Sequence, residues 1–367
     1  MNILTINWQD IKNPLGGGAE VHLHEIFKRI VSMGHNVTLL CCTYENAMSE
    51  EYIDGIQIFR RGHRNFFNFV VPHNYFLLNK KINFDIIVDD INKIPFYTPL
   101  YVKKPLIGII HHLFGSSIFM ETSLPGALYV NMAEKLIPPI YKNIPMTVVS
   151  KSTREELIDK GFHDDNLHII HNGVDMSGFR AEKKARSSNP TIGYFGRIKK
   201  YKSIDHILKA FKIVLEKLPK AQLLIMGDGD YLPEIRQQAK KLQLDGQIDF
   251  TGPLMNSEKL KHLNKVWFTV NPSPKEGWGL TVIESNACAL PVIAADSPGL
   301  RESVVDKKTG LLYEYGNIEQ LASQMILLIE NQQLRETLSE NSLEWAKKFS
   351  WDRSAEKMLH LLEKTIS

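Results

Sequence analysis

Two glutamates and two glycines share one short stretch, E-G-W-G-L-T-V-I-E at 276–284. The apolar run at 266–271 precedes it and predicts a buried strand. From Leu280 onward apolar residues recur at helical spacing, so a helix is predicted to begin near Gly279. The free N–H groups and positive dipole end of such a helix suit a phosphate. The stretch therefore predicts an anion-binding site flanked by carboxylates.

The two carboxylates could grip different parts of one extended ligand. Glu276 stands just before the predicted helix, and Glu284 is expected about two turns deeper. Carboxylates accept hydrogen bonds from vicinal hydroxyls while backbone donors hold a diphosphate, which favours a nucleotide sugar. The alternative is a surface helix with solvated glutamates, which the flanking glycines disfavour.

A pair of cations follows another predicted strand. Arg197 and Lys202 come after the apolar strand at 191–195 and before a helix predicted over 203–218. An arginine fork and a lysine point charge at a strand end can neutralise a diphosphate. The alternative is a pair of solvated loop charges.

A glycine triplet joins the first strand, 2–7, to the first helix. Gly17 and Gly18 lie within G-G-G-A-E, a loop that could bring backbone N–H groups to a phosphate or sugar, or act as a simple flexible turn. The spacing is not G-x-G-x-x-G, and the second strand, 36–42, ends without an acidic residue. A dinucleotide-binding unit is therefore disfavoured.

Histidines and carboxylates end two further strands. The strand at 105–110 leads into His111 and His112, which could both face the crevice where open α/β sheets bind ligands, although a lone histidine is usually structural. The acidic pairs Asp89-Asp90 and Asp228-Gly229-Asp230 lack a third nearby oxygen ligand. No metal site and no cofactor are predicted.

A basic and aromatic stretch, 59–84, lies in a part of the chain (55–84) with no acidic residue. Its cations and aromatic rings are listed here: Arg60, Arg61, Arg64, Lys80, Lys81, Phe59, Phe66, Phe67, Phe69, Tyr75, Phe76 and Phe84. Such a stretch suits either a peripheral membrane contact or a core helix with solvated basic ends. Both interpretations stay open.

The bulk composition is that of an ordinary globular chain. Its 367 residues are 43% hydrophobic and 23% charged, enough for two domains. A net charge of +3 does not indicate a nucleic-acid partner. Three cysteines make no disulfide framework, and no signal peptide or transmembrane run is expected. We expect a cytoplasmic protein. If 59–84 binds lipid, the protein would associate with the inner face of the membrane.

Alternating strands and helices predict an α/β chain of two domains. The polar segment 180–189 lacks periodicity and is interpreted as the linker. The predicted domains are 1–180 and 190–349. The terminal helix, 350–367, is expected to pack back on the first domain.

In their order along the chain, the motifs resemble the family-four retaining glycosyltransferases. They are G-G-G-A-E at 16–20, I-H at 110–111, H-N-G-V-D at 171–175, G-R at 196–197 with Lys202, G-D-G at 227–229, and the glutamate pair of 276–284. The resemblance implies a GT-B fold, two Rossmann-like domains facing each other across a cleft. The N-terminal domain would bind mostly the acceptor and the C-terminal domain mostly the nucleotide sugar.

The resemblance also implies roles for individual residues. Arg197 and Lys202 would hold the diphosphate. Glu284 would bind the ribose, and Glu276 the hydroxyls of the transferred sugar. The backbone from Gly277 through Gly279 to Leu280 would seat a phosphate.

In the first domain, the resemblance places His111 beside the donor sugar near its reactive carbon. Gly17 and Gly18 would line the junction of phosphate and acceptor. His112, Ser203 and the run 297–299 depart from the usual pattern, which leaves the choice of donor open.

The predicted activity is retaining transfer of a hexosyl group, with preplaced cations replacing a metal. The donor would be a UDP- or GDP-sugar, and the acceptor a glycan, a lipid-linked or a small molecule, as in cell-envelope polysaccharide synthesis. Alternatives are a glycan phosphorylase, which would need a lysine for pyridoxal phosphate, and a sugar-nucleotide epimerase. A non-enzymatic carbohydrate-binding scaffold is disfavoured by the glutamates and cations.

Overall fold

The structure, a computed structural model, describes residues 1–92, 94–254 and 256–367. These residues form two compact units, Met1–Gly173 with Trp351–Ser367, and Val174–Ser350. Each unit is an α/β layer structure built on a largely parallel sheet.

The first unit holds an eight-stranded sheet within the described residues, in the order β3-β4-β2-β1-β5-β6-β7-β8. Its strands are β1 Asn2–Ile6, β2 Asn36–Thr43, β3 Glu50–Ile53, β4 Ile56–His63, β5 Ile86–Ile91, β6 Leu106–Ile110, β7 Met146–Val148 and β8 Leu167–Ile169. Among the strand pairs of the described residues in this sheet, only β3–β4 is antiparallel. The central strands are buried and mostly apolar, as expected for a parallel sheet covered on both faces, although β5 carries the buried Asp89 and Asp90.

The helices of the first unit are α1 Gly18–Ser32, α2 Phe67–Ile82, α3 Leu124–Lys135, α4 Ile137–Tyr141, α5 Lys151–Asp159 and the terminal α13 Trp351–Ile366. Helix α13 belongs to this unit although the second unit separates it in sequence. It packs on α1, where Arg29 Nε donates to Asp352 Oδ1 at 2.5 Å. The apolar face of α13, which includes Met358 and Leu362, is buried. The amphipathic pattern of its sequence is that of a helix with one face packed on a core.

The second unit holds a six-stranded parallel sheet within the described residues, in the order β11-β10-β9-β12-β13-β14. Its strands are β9 Thr191–Phe195, β10 Gln222–Met226, β11 Ile248–Gly252, β12 Phe268–Asn271, β13 Val292–Ala295 and β14 Gly310–Tyr313. Its helices are α6 Ile204–Lys217, α7 Leu232–Lys241, α8 Asn256–Leu263, α9 Leu280–Ala287, α10 Leu300–Ser303, α11 Ile318–Glu330 and α12 Gln332–Ala346. The chain runs outward from β9 and returns to β12 beside it, so the strand order reverses between these two strands.

The segment predicted as the interdomain linker, 180–189, lies inside the second unit. Trp267 Nε1 donates to the carbonyl oxygen of Ser187 at 2.9 Å, and Arg186 Nη1 donates to that of Leu263 at 3.1 Å. The boundary between the units falls earlier, after Gly173. A polar segment without periodicity can still be hydrogen-bonded to the rest of a domain, and its composition alone does not distinguish it from a linker.

The basic, aromatic stretch 59–84 is not one helix, because it begins in β4 and continues through α2. Arg60 cannot serve an anionic headgroup: its side chain is fully buried and its guanidinium pairs with Asp10 and Glu51, each at 2.6 Å. Arg61 pairs with Glu50. None of the helices among the described residues is both long and apolar enough to cross a bilayer.

Candidate active site

In the second unit, the predicted site residues lie near the point where the strand order reverses. Ligands bind in open α/β sheets at the carboxyl ends of the strands where the order reverses. Strand β9 ends there at Phe195, directly before Gly196 and Arg197, and β12 leads into the loop before α9. A Cβ at Gly196 would lie 3.9 Å from Cγ2 of Thr281, so the end of β9 contacts the first turn of α9.

Lys202 and Glu276 form an ion pair at this edge. Their side chains are only 14% and 16% exposed. Burial lowers the pKa of Lys202, but the Glu276 carboxylate and Tyr201 outweigh that effect, so the pKa of Lys202 is raised. The lysine is therefore a permanent cation at the carboxyl end of the sheet.

Arg197 supplies a second positive charge close to Lys202, since its charge acts to lower the pKa of that lysine. Its side chain is exposed, and Nη2 lies 3.5 Å from the hydroxyl of Tyr201. The buried Tyr194 hydroxyl donates to the carbonyl oxygen of Arg197 at 2.9 Å and fixes the loop backbone. Two neighbouring cations repel each other, and an anion bound by both would offset that repulsion.

Helix α9 begins where the sequence predicts. Gly279 is its N-cap with φ 80°, and no side chain caps the helix start. The loop before α9 is bonded to the segment that follows β13: the N–H of Glu276 donates to the carbonyl oxygen of Pro298 at 3.1 Å. The first turn of α9 thus presents backbone donors beside Lys202 and Arg197.

Glu284 lies closer to the helix start than expected. It is the fifth residue of α9, a little over one turn from Leu280 rather than two turns, because Glu276 precedes the helix. Its Oε1 pairs with Lys259 Nζ at 3.1 Å. Lys259 also lies 5.5 Å from the ring centroid of Phe195, the residue before Gly196. Through Lys259, Glu284 therefore lies near the end of β9.

The acidic residues of the G-D-G-D turn are bound to the protein itself. Asp228 Oδ1 accepts from the N–H of Gly229 at 2.8 Å, and Asp230 pairs with Lys199 at 2.7 Å. A Cβ at Gly229 would lie 2.1 Å from the carbonyl oxygen of Ile198, so glycine is needed for this close approach. The segment is the turn between β10 and α7. Within the described ranges, no group of three or more His, Cys, Asp or Glu side chains is arranged to hold a metal ion.

In the first unit, the glycine triplet leads directly into α1. The N–H of Gly17 donates to Oε2 of Glu20 at 2.6 Å, which turns this buried carboxylate back onto the loop. A Cβ at Gly18 would meet no atom within 4 Å, so the loop backbone is open on that side. A ligand can approach the helix start there.

His111 sits in a buried polar cluster with Asp90 and His22. Its Nε2 lies 2.9 Å from Oδ1 of Asp90, and its ring contacts His22 edge-on at 4.9 Å between centroids. His22 Nδ1 lies 2.6 Å from Oδ1 of Asn172. Burial lowers the pKa of His111, but Asp90 outweighs it, so that pKa is raised. The ring of His112 contacts that of Phe114, with 4.5 Å between centroids and 51° between the ring planes.

Sequence reasoning missed three partners of the predicted residues: Asp90, His22 and Lys259. Asp90 could have been found, because β5 and β6 are neighbours and their carboxyl ends meet at one edge. His22 was hidden among the residues of an amphipathic helix. Lys259 carries no local signal, because only the tertiary fold brings α8 to α9.

The chain matches two glycosyltransferase families over most of its length. The family described as Glycosyltransferase Family 4 matches residues 16–177, and the one described as Glycosyl transferases group 1 matches residues 175–345. An uncharacterized glycosyltransferase of Methanocaldococcus jannaschii is 28% identical over 96% of this chain and 96% of its own length.

Solved structures show the same fold. Sucrose-phosphate synthase of Thermosynechococcus elongatus superposes with a TM-score of 0.84 at 19% identity, covering 99% of this chain and 98% of that one. HepE of Anabaena, solved in complex with UDP and glucose, gives 0.79 at 18% identity over 99% and 100% of the two chains. Both Rossmann-like units of the present chain are therefore of the GT-B type.

Proposed function

This chain belongs to the family-four glycosyltransferases of GT-B fold, and from that premise we propose that it transfers a hexosyl group from a nucleoside-diphosphate sugar with retention and without a divalent metal ion. One observation carries the proposal: the Lys202–Glu276 pair lies beside Arg197 and the uncapped start of α9. This cluster offers donors for a diphosphate and an acceptor for sugar hydroxyls within one edge of one sheet.

The donor's diphosphate would lie between Arg197, Lys202 and the N–H groups from Gly277 through Gly279 to Leu280. The anion would relieve the repulsion of the two cations. Glu276, released in part from Lys202, would accept hydrogen bonds from the hydroxyls of the transferred sugar.

Glu284 would accept hydrogen bonds from the ribose hydroxyls, since it lies in α9, the helix whose start would bind the diphosphate. Its pairing with Lys259 at 3.1 Å orients the carboxylate before the donor arrives. HepE is solved with UDP-glucose, which makes UDP-sugars the first donors to test.

The bond that breaks joins the anomeric carbon to the diphosphate oxygen. Positive charge then grows on the sugar, and negative charge grows on the departing diphosphate. Arg197, Lys202 and the α9 N-terminus would stabilise that negative charge in the way a metal does. For retention, the acceptor hydroxyl would attack the same face and pass its proton to a leaving phosphate oxygen.

The first unit would supply the acceptor side. The open loop at Gly17 and Gly18 would bring backbone donors to the reacting groups, and His111 would hydrogen-bond the donor sugar. Asp90 keeps the pKa of this histidine raised. The acceptor would be a glycan, a lipid-linked or a small-molecule hydroxyl.

The test is turnover of a panel of UDP- and GDP-sugars in the presence of a chelator, with the product's anomeric configuration assigned by NMR. The proposal expects transfer or slow donor hydrolysis that survives chelation, and a product of unchanged anomeric configuration. An inverted product, or activity that returns only when Mg²⁺ or Mn²⁺ is added back, would contradict it.

A further inference from the structure

The solvent side of α2 is apolar although its opposite side already packs into the core. Phe67, Val71 and Leu78 are buried. On the other side, Phe66, Phe69, Phe76 and Leu77 are between 55% and 69% exposed. A helix that is apolar on both sides needs a second apolar environment.

Helix α3 repeats this pattern. Its buried side includes Ala127 and Val130. Its exposed apolar side chains, together with that of the residue that follows, are between 47% and 66% exposed: Leu124, Leu128, Tyr129, Met132 and Leu136. Their spacing of three and four residues places them along one stripe.

The two exposed stripes belong to one surface. Asn68 Nδ2 of α2 donates to the hydroxyl of Tyr129 on α3 at 3.2 Å, so the helices approach each other beside Phe69. We call the exposed residues of α2 and α3, with the flanking Phe66 and Leu136, the α2–α3 surface. It carries nine of the nineteen exposed large apolar side chains recorded for the described residues, which marks it as an interaction site.

The charges on this surface are all positive. Helix α2 contains no acidic residue and ends in the exposed pair Lys80 and Lys81. Helix α3 contains one acidic residue, Glu134, which is buried and accepts from the backbone N–H groups of Phe114 and Gly115 at 2.6 and 2.8 Å. Lys135 is exposed beside it. A second copy of the chain would bring like charges together, whereas an anionic partner would neutralise them.

We propose that the α2–α3 surface binds the surface of an anionic phospholipid bilayer. Phenylalanine, leucine and tyrosine side chains settle at the boundary between headgroups and acyl chains, and lysines attract anionic headgroups. The proposal goes beyond the transfer reaction and does not depend on it, because it concerns only the first unit and needs no donor.

The wild-type protein should sediment with vesicles of phosphatidylcholine mixed with phosphatidylglycerol, and much less with vesicles of phosphatidylcholine alone. Binding should weaken as salt rises, because salt screens exposed charges. Lys80→Gln with Lys81→Gln should weaken binding to the mixed vesicles about tenfold or more. Lys240→Gln with Lys241→Gln is the matched control, an adjacent exposed lysine pair in the last turn of α7, and should bind like wild type.

The apolar contribution is tested by Leu128→Ser on α3 against Leu327→Ser on α11, two helical leucines of similar exposure, 49% and 42%. Only Leu128→Ser should reduce vesicle binding. Failure of the wild type to sediment with mixed vesicles would overturn the proposal, as would equal losses in a variant and its control. A concentration-dependent dimer that Leu128→Ser dissociates, without vesicle binding, would assign the surface to a second copy instead.

Discussion

At the residue scale, the Lys202–Glu276 pair is largely buried, and such a pair contributes little to the free energy of unfolding. Removing two charges from water costs free energy that their attraction only partly offsets. A pair in this position is better explained by its readiness to exchange one partner for a ligand. Arg197 strengthens that explanation, because its charge opposes the protonated lysine until an anion arrives.

Lys202→Gln and Glu276→Gln should each lower kcat by about 100-fold or more, because each removes a group that acts on the charges of the transition state. Lys199→Gln is the control: this lysine lies three residues earlier and pairs with Asp230 at 2.7 Å. Steady-state rates measure the effect, and thermal melting shows that each variant is folded. A folded Lys202→Gln variant with the turnover of Lys199→Gln would refute the assigned role.

Asp89 predicts a pH-dependent stability. Burial raises its pKa from 3.8 to about 6, although Thr98 and Tyr141 donate hydrogen bonds to it. A carboxyl whose pKa is raised on folding stabilises the fold below pH 3.8 and loses that contribution as the pH rises through about 6. The loss is on the order of 3 kcal/mol.

Asp89→Asn removes this titration while keeping an oxygen to accept from Thr98 and Tyr141. The free energy of unfolding of wild type minus that of the variant should therefore fall between pH 4 and pH 7. Urea denaturation at several pH values measures this difference. A difference that stays constant across the range would show that Asp89 does not titrate there.

At the element scale, the start of α9 depends on a neighbouring loop. Gly299 has φ 79°, and a Cβ there would lie 2.2 Å from the carbonyl oxygen of Glu276. The chain at 297–299 thus lies directly against the backbone of Glu276, the glutamate proposed to bind the transferred sugar. A glycine at this position is required by both its conformation and its close approach.

Gly299→Ala should lower activity sharply, by roughly tenfold or more, because displacing Glu276 by a fraction of an ångström disturbs the donor site. Gly316→Ala is the matched control, with φ 90° but no atom within 4 Å of the added Cβ. Both substitutions place alanine at a positive φ and so strain the backbone similarly, but only Gly299→Ala displaces Glu276. Comparable turnover in the two variants, measured on folded protein, would separate Gly299 from the site.

Elements with strong local signals could be predicted from the sequence. Helix α9 begins at Leu280, one residue after the predicted glycine, because the periodic apolar pattern and the glycine conformation agree. Arg60 was misjudged, because its partners Asp10 and Glu51 are distant in sequence and only the fold reveals the buried pairing. The linker segment 180–189 was misjudged, and Lys259 was missed, for the same reason.

At the scale of the whole molecule, each unit gathers its polar residues at the carboxyl ends of its own parallel strands. The second unit places Arg197, Lys202, Glu276 and Glu284 around the end of β9, where the strand order reverses. The first unit gathers Glu20, Asp90 and His111 at the corresponding edge of its sheet. We propose that the cations of the second unit and the N-terminus of α9 hold the diphosphate of a sugar donor.

Thermal unfolding with a panel of UDP- and GDP-sugars tests that claim most directly, because a bound donor stabilises the fold by mass action and no acceptor is needed. At a hundredfold excess over Kd, at least one nucleotide sugar should raise Tm by on the order of 5 °C, while its free nucleoside should not. Lys202→Gln should lose the shift and Lys199→Gln should keep it. No shift with any nucleotide sugar, or an undiminished shift in folded Lys202→Gln, would contradict the account.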